Sequence, residues 1–558
     1  MTADSTKNGD TGKPENWVPV FEEILYTPQR KLRIVCAGAG FSGLMLAHKI
    51  QHELKAEEFM DLQIYEKNAG IGGTWYETRY MGAALDVPAH MYTFQFEPYT
   101  EWSHFHVYRD EVLEYMNRTT KKYNLDKHVA FESRITSAHW SDEKAKWLIE
   151  VEKADRTIIK DEADVFVDCS GLLNKWRWPN VPGLQDFKGH IVHSANWDED
   201  HDYEGERVAI IGNGASGIQI LPQMVKKAKY TANIIRSPTW IMSNFGAEFT
   251  PDGKNFKFTE EQKTEFRTKP ETHRKFRHEM ETATNKRFPS LHKDSKEQKA
   301  FVEYVTKNMH RRLGGDPELI EKLVPKYDIG CRKATPGDNY LECFANKLAD
   351  PIIGGIKRFT ETGIELDDGR RYEFDAIVCA TGFDTSFMPK WDLSGRNGAR
   401  LEKLWAEAPY AYFSTVLPEM PNYFMVNGPN SASGHALILT GMATVVEYIS
   451  KWLNKMAEEG IKSIVVKKKS IDDYNVYTQE FLKRMVWSGG CASWYKAGKD
   501  PNRVTALYGG SMLHFKKIMS AIRAEDFEIE YLSSNSFMFM GNGYCDIEVN
   551  GGDLAYYL

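Results

Sequence analysis

Two widely separated segments share one pattern. "KLRIVCAGAGFSGLMLAHKI" (31–50) and "RVAIIGNGASGIQILPQM" (207–224) each run from an apolar, strand-like stretch through Gly-x-Gly-x-x-Gly into a helical stretch. In a βαβ unit the three glycines do separate jobs: one makes the tight turn, one lets a diphosphate approach the backbone, and one lets helix and strand pack closely. The helix start then offers free N–H groups and the positive end of its dipole to phosphate. Gly38, Gly40 and Gly43, with Phe41 and Ser42 between them, fill these positions in the first unit. Gly212, Gly214 and Gly217, with Ala215 and Ser216, fill them in the second. The pattern predicts an α/β protein with two Rossmann-like dinucleotide-binding domains.

The strand following each loop separates the two nucleotides. "DLQIYEK" ends in Glu66, placed to accept hydrogen bonds from a ribose, as in flavin sites. "TANIIRSPTW" carries Arg236 and Ser237 in its place; a cation there suits the 2′-phosphate of NADP, the alternative being a solvent-exposed arginine. FAD in the first domain and NADPH in the second imply electron traffic between nicotinamide and flavin.

Between and after these units the chain divides by composition and periodicity. Residues 1–30 read as a loose arm, with "NWVPVFEEIL" as a short helix. Residues 31–180 form the first part of the FAD domain, with strands in "KWLIEVEK" and "DVFVDCSG". Residues 181–246 open the NADP domain, 247–330 are a charged helical insertion, and 331–379 complete the domain. Residues 380–558 return to the FAD domain and a C-terminal segment that includes the helix "ILTGMATVVEYISKWLNKM". A chain of 558 residues is too long for one core, which agrees with this division.

Composition removes other classes. A net charge of −7 without a basic stripe speaks against nucleic-acid binding. No apolar run approaches the ~20 residues needed to span a bilayer. The polar N-terminus is unlike a secretory signal, so a cytoplasmic location is expected. The seven cysteines are scattered and include no CxxC pair, which predicts buried thiols in a reducing compartment and no dithiol centre, zinc site or other metal site.

Residues 187–198, "FKGHIVHSANWD", lie between the two loops. Phe187, Gly189, His193, Trp197 and Asp198 fall at the offsets of the motif that marks type I Baeyer–Villiger monooxygenases, which the chain resembles, fungal members most closely. "GGTWYETRYMGAALD" is similar to a second motif of that family and holds Gly73, Thr74, Trp75 and Asp86; Tyr92 follows. "CATGFD", with Thr381 and Gly382, and "CASWYKAG", with Trp494, resemble further family segments.

The resemblance implies an FAD- and NADPH-dependent enzyme. Reduced flavin takes up O2 as a peroxyflavin, and one oxygen atom enters a ketone or aldehyde to give an ester or lactone, in fungal specialised metabolism. It implies that the 187–198 segment links the two domains, with His193 anchoring the linker by hydrogen bonds and not by proton transfer. Asp86 orients a cation beside the flavin, and Trp494 rides a loop over NADP. The insertion and the "NGPNSASGHAL" loop shape the pocket of a small organic substrate whose identity no residue reveals.

Here the sequence departs from the family, which has two cations with a catalytic arginine second. "GCRKATPGDNYLE" puts Arg332 at the phosphate position and Lys333 at the catalytic one; a shift of one residue would instead bring Arg332 to the flavin. Lysine supplies a point charge without the planar fork of arginine. That substitution keeps open oxygenation of sulfur or nitrogen, epoxidation or hydroxylation. A two-nucleotide disulfide reductase would need paired cysteines near the flavin, and a non-catalytic NADP-sensing flavoprotein would lack the oxygen chemistry.

Overall fold

In the computed structural model, which describes residues 14–431 and 434–558, two five-stranded sheets carry the two glycine loops. The first runs in the order Tyr423–Met425, Val165–Asp168, Leu32–Ala37, Met60–Tyr65, Val129–Ala130, with every pairing parallel. Strand Leu32–Ala37 sits at its centre, in register with Met60–Tyr65 from Leu32↔Met60 to Ala37↔Tyr65. Ile34, Val35 and Cys36 are fully buried, as a parallel strand covered on both faces requires.

The second sheet is likewise parallel, in the order Asp350–Ile353, Tyr230–Ile235, Arg207–Ile211, Ala376–Cys379, His190–His193. The linker motif is therefore its edge strand: His193 lies opposite Cys379 in register. A four-stranded sheet, Asp392–Ser394, Ser133–Ser141, Lys146–Lys153 and Ile158–Ala163, accompanies the first domain.

Residues 247–330 are largely helical. Helices Glu260–Thr268, Lys296–Arg312 and Pro317–Leu323 start on Thr259, Ser295 and Asp316, whose side-chain oxygens accept N–H groups of the first turn. Helix Pro270–Lys286 meets the domain of the first glycine loop through Arg277, whose Nε donates to the carbonyl of His90 at 2.9 Å, and through a 2.9 Å contact between His273 Nε2 and His90 Nδ1.

Three expectations change. Helix Phe41–His48, whose sequence suggests one apolar side, is buried all round because helix Ile438–Glu458 covers its second face. "NWVPVFEEIL" forms turns instead of a helix: the N–H groups of Leu25 and Tyr26 donate to the carbonyls of Tyr544 and Phe539, so the C-terminal segment takes up the bonds a helix would have made. Residues 1–13 of the N-terminal arm lie outside the described residues, as do Ala432 and Ser433 of the "NGPNSASGHAL" loop.

The third change concerns the cysteines. Cys331 and Cys491 are joined as a disulfide across 160 positions of sequence. The two segments pack closely here: a Cβ on Gly330 would stand 3.0 Å from Val486, and one on Gly489 would stand 3.2 Å from the Cys331 sulfur. The expected set of scattered thiols holds for Cys36, Cys169, Cys343, Cys379 and Cys545 only.

Candidate active site

The two glycine loops have nearly the same backbone. Gly38 and Gly212 have φ of +102° and +106°, in the left-handed region that glycine alone adopts without strain. A Cβ on Gly43 would stand 2.1 Å from the Gly38 carbonyl oxygen, and one on Gly217 would stand 2.3 Å from that of Gly212. The middle glycines differ in kind. Nothing lies within 4 Å of a Cβ on Gly214, and only Gly73 faces Gly40, at 3.6 Å. Those two positions leave the space a diphosphate would take.

A cavity of about 410 Å³ opens from the first loop. Gly38, Gly40, Phe41, Ser42, Glu66, Gly73, Thr74, Trp75 and Tyr92 line it on the side of the first glycine loop, Ala215 and Ser216 enter from the helix that follows the second loop, and Trp494 closes on it. Gly43 holds the turn from behind. Glu66 accepts the N–H of Ala39 at 2.8 Å and of Asn68 at 2.9 Å, which fixes its carboxylate at the cavity wall. Burial raises that carboxyl above its ordinary range while these two N–H groups oppose the rise. The indole N–H of Trp391 is buried in the same wall with no partner among the described residues, an orphaned donor that fits a bound dinucleotide.

Lys333 Nζ donates to Asp86 Oδ2 at 2.6 Å. Burial works to raise the Asp86 carboxyl, but the charge and hydrogen bond of Lys333, with a smaller contribution from His106, outweigh it, so the net shift is downward. Asp86 is held in place from the NADP domain. Tyr80 OH donates to Gln219 Oε1 at 2.7 Å, and Gln219 Nε2 donates to the carbonyl of Ala84 at 3.0 Å, which docks the loop before Asp86 on helix Ala215–Met224. A Cβ on Gly82 would strike the Gln219 carbonyl at 2.8 Å. Met81 packs against the NADP-domain core.

Arg332 faces the other way. Its Nη1 donates to Ser237 Oγ at 3.1 Å and its Nη2 to Asn213 Oδ1 at 3.3 Å. Burial lowers the Arg332 guanidinium pKa, and the positive charge of exposed Arg236 adds to the shift. Two cations thus converge at the end of strand Tyr230–Ile235, beside the second glycine loop.

His193 is fully buried. Its ring stacks on Trp176 at 4.7 Å, its Nδ1 accepts the N–H of Ala195 at 3.1 Å, and its Nε2 lies 3.3 Å from Thr381 Oγ1. Burial pushes the imidazole down to about 4, so it is neutral at physiological pH. Gly382, next to Thr381, turns at φ +88°. Phe187 is buried, and a Cβ on Gly189 would stand 2.2 Å from the Asp375 carbonyl. Trp197 leans on Tyr203 with ring centres 5.6 Å apart, and Asp198 accepts the Asp200 N–H at 3.1 Å. All five motif residues hold the edge strand and its following turn in place.

Among the residues of the cavity wall that sequence reasoning missed are Lys390 and Trp391. Burial, helped by the charge of Lys67, lowers the Lys390 ammonium to about 7. They come from a segment far along the chain from either glycine loop, and no local pattern marks them.

Two parallel sheets whose glycine turns meet at one cavity define an oxidoreductase that holds two dinucleotides. A family model described as flavin-binding monooxygenase-like matches residues 30–288. The "FAD-binding monooxygenase tazF" of Aspergillus terreus is 44% identical over 538 residues, 96% of this chain and 95% of its own length. A "Baeyer-Villiger monooxygenase" of Pseudomonas aeruginosa is 32% identical over 468 residues, 84% of this chain and 85% of its own. Among solved structures, a closed crystal structure of cyclohexanone monooxygenase matches with a TM-score of 0.75 at 24% identity, over 90% of this chain and 99% of that one. OTEMO, in complex with FAD and NADP, matches with a TM-score of 0.77 at 23% identity, over 90% and 100% of the two chains. The chain belongs to the FAD-binding monooxygenases of the Baeyer–Villiger type.

Proposed function

We propose that this chain oxidises NADPH and inserts one atom of O2 beside the carbonyl of a ketone or aldehyde, giving an ester or lactone, while the second oxygen atom leaves as water. We further assign the substrate to the bulky ketones of fungal specialised metabolism, on the strength of the fungal resemblance. Bound FAD, reduced by NADPH, supplies the activation of O2. The chain's own residues bind, orient and exclude water. The first glycine loop and the start of helix Phe41–His48 take the FAD diphosphate, and Glu66 takes its ribose. Arg332, Arg236 and Ser237 hold the 2′-phosphate of NADPH. Trp75, Tyr92 and Trp494 wall the cavity against solvent. Lys333 places a fixed positive charge where negative charge develops on oxygen, and Asp86 orients it.

The observation that carries this reading is the 2.6 Å contact between Lys333 and Asp86, formed by one loop from each nucleotide domain. A second reading rests on the same contact. A lysine occupies the arginine position, and its point charge lacks the bidentate fork, which favours oxygenation at sulfur or nitrogen, epoxidation or hydroxylation. The test is turnover of a panel of ketones, aldehydes and thioethers with NADPH and isotopically labelled O2. Label in an ester or lactone supports the first reading and label in a sulfoxide alone supports the second. NADPH consumption with no labelled organic product from any substrate overturns both.

A further inference from the structure

The disulfide joins the segment that bears both cations to the segment that carries Trp494 at the cavity. Cys331 immediately precedes Arg332 and Lys333, and Cys491 lies three residues before Trp494. Cys331 is fully buried, whereas Cys491 is partly exposed. Lys496 Nζ donates to the carbonyl of Cys491 at 3.0 Å and also to that of Gly489, which folds residues 489–496 into a closed loop. That loop places Trp494 on the cavity and Tyr495 in the core, where burial, with the charge of Asp86 adding to it, raises the phenol pKa. The covalent bond therefore ties the cavity-closing loop to the segment bearing both cations.

We propose that Cys331 and Cys491 are a reversible redox pair whose oxidised form holds the Trp494 loop on the Arg332–Lys333 segment and whose reduced form releases it. Hydrogen peroxide is the oxidant. The Cys491 thiolate attacks one oxygen of peroxide and breaks the O–O bond, forming a sulfenic acid and expelling hydroxide, which takes up a proton and leaves as water. The Cys331 thiolate then displaces hydroxide from that sulfur, which leaves as a second water once protonated, and the S–S bond forms. A dithiol is the reductant. One of its thiolates attacks Cys491 Sγ and expels Cys331 as a thiolate. Its second thiol then resolves the mixed disulfide, so Cys491 is freed and the dithiol leaves oxidised. The effect on oxygen transfer rests on the function proposed above, whereas the effect on loop and coenzyme does not.

The test uses the full-length holoenzyme, treated with dithiothreitol or with peroxide. Cysteine alkylation located by mass spectrometry, NADP+ affinity, tryptic cleavage after Lys496 and Lys499, and the fraction of NADPH oxidised that appears as hydrogen peroxide are read on each form. On reduction, Cys331 and Cys491 should become alkylated. NADP+ should then bind about tenfold more weakly, cleavage should accelerate several-fold, and the peroxide fraction should rise. Peroxide should reverse these changes in the wild type but not in Cys491→Ser, which should behave as the reduced form. A disulfide that dithiothreitol cannot open in the native protein would overturn the proposal, as would a reduced form with unchanged NADP+ affinity and cleavage. Should no substrate be oxygenated in either form, the function fails while affinity and cleavage still decide the redox pair.

Discussion

Lys333 and Asp86, 247 positions apart in sequence, meet at 2.6 Å where a loop of the NADP domain reaches a loop of the FAD domain. The ammonium is therefore held by a partner from the other domain, and its position depends on how the domains dock. Lys333→Ala should lower product formation about 10²–10³-fold, the loss expected when a preorganised charge is removed. NADPH oxidation should continue, with hydrogen peroxide as its oxygen product. Asp86→Ala should lower product less, and the double variant should be little worse than Lys333→Ala, because residues acting as a unit are not additive. Parallel assays of product, NADPH and peroxide check this.

Arg332 Nη1 on Ser237 Oγ, with Arg236 alongside, predicts discrimination between coenzymes. Charge-assisted hydrogen bonds to phosphate contribute about 1.5–3 kcal/mol each. Arg332→Ala should thus raise the KM for NADPH roughly 10–100-fold, with the KM for NADH nearly unchanged. Steady-state kinetics with both coenzymes decide it. Equal losses with NADPH and NADH would place Arg332 away from the 2′-phosphate.

The glycine loops separate fold from ligand. Gly43→Ala would put a Cβ 2.1 Å from the Gly38 carbonyl oxygen, a clash with backbone that cannot be relieved by a rotamer change. It should yield misfolded or flavin-free protein. Gly214→Ala meets no protein atom within 4 Å, and its φ of −80° is open to any residue. That variant should melt within about 1 °C of wild type, since substitutions at such unconstrained positions change stability by only about 0.5 kcal/mol, yet bind NADP+ at least tenfold more weakly. Thermal melting and NADP+ titration of each variant are the measurements.

The parts of this structure set by local pattern were legible in the sequence. Strands Leu32–Ala37 and Arg207–Ile211, their glycine turns and the helices that follow are dictated by residues a few positions apart. Glu66 and Arg236 could be singled out because the βαβ unit fixes where the second strand ends. The resemblance brought Lys333 and Asp86 into view, but their contact depends on the docking of Gln219 against Ala84, which no spacing encodes. The Cys331–Cys491 bond, Lys390 and Trp391 depend on chain crossings of the same kind. The all-round burial of helix Phe41–His48 was hidden because its second cover arrives from helix Ile438–Glu458, almost four hundred residues later.

Buried histidines give the fold a specific acid weakness. His193, His106 and His273 lie in the interior, and burial pushes each down to about 4 from an ordinary 6.5. In the unfolded chain each takes up a proton near 6.5. Between about pH 6.5 and 4 the unfolded state therefore binds more protons, and stability falls as pH falls; above 6.5 their contribution is fully present, and below 4 it changes no further. Each such histidine makes the slope steeper by about 1.4 kcal/mol per pH unit within that window. His106→Leu cannot protonate in either state. Whatever its stability at pH 7.5, its unfolding free energy should decline less steeply than wild type between pH 6.5 and 4.5, by about 2 kcal/mol over that interval. Denaturant unfolding of both proteins across the range provides the comparison. Parallel declines would mean that His106 is already charged in the folded protein, where the charges of Asp338 and Asp86 favour the protonated ring.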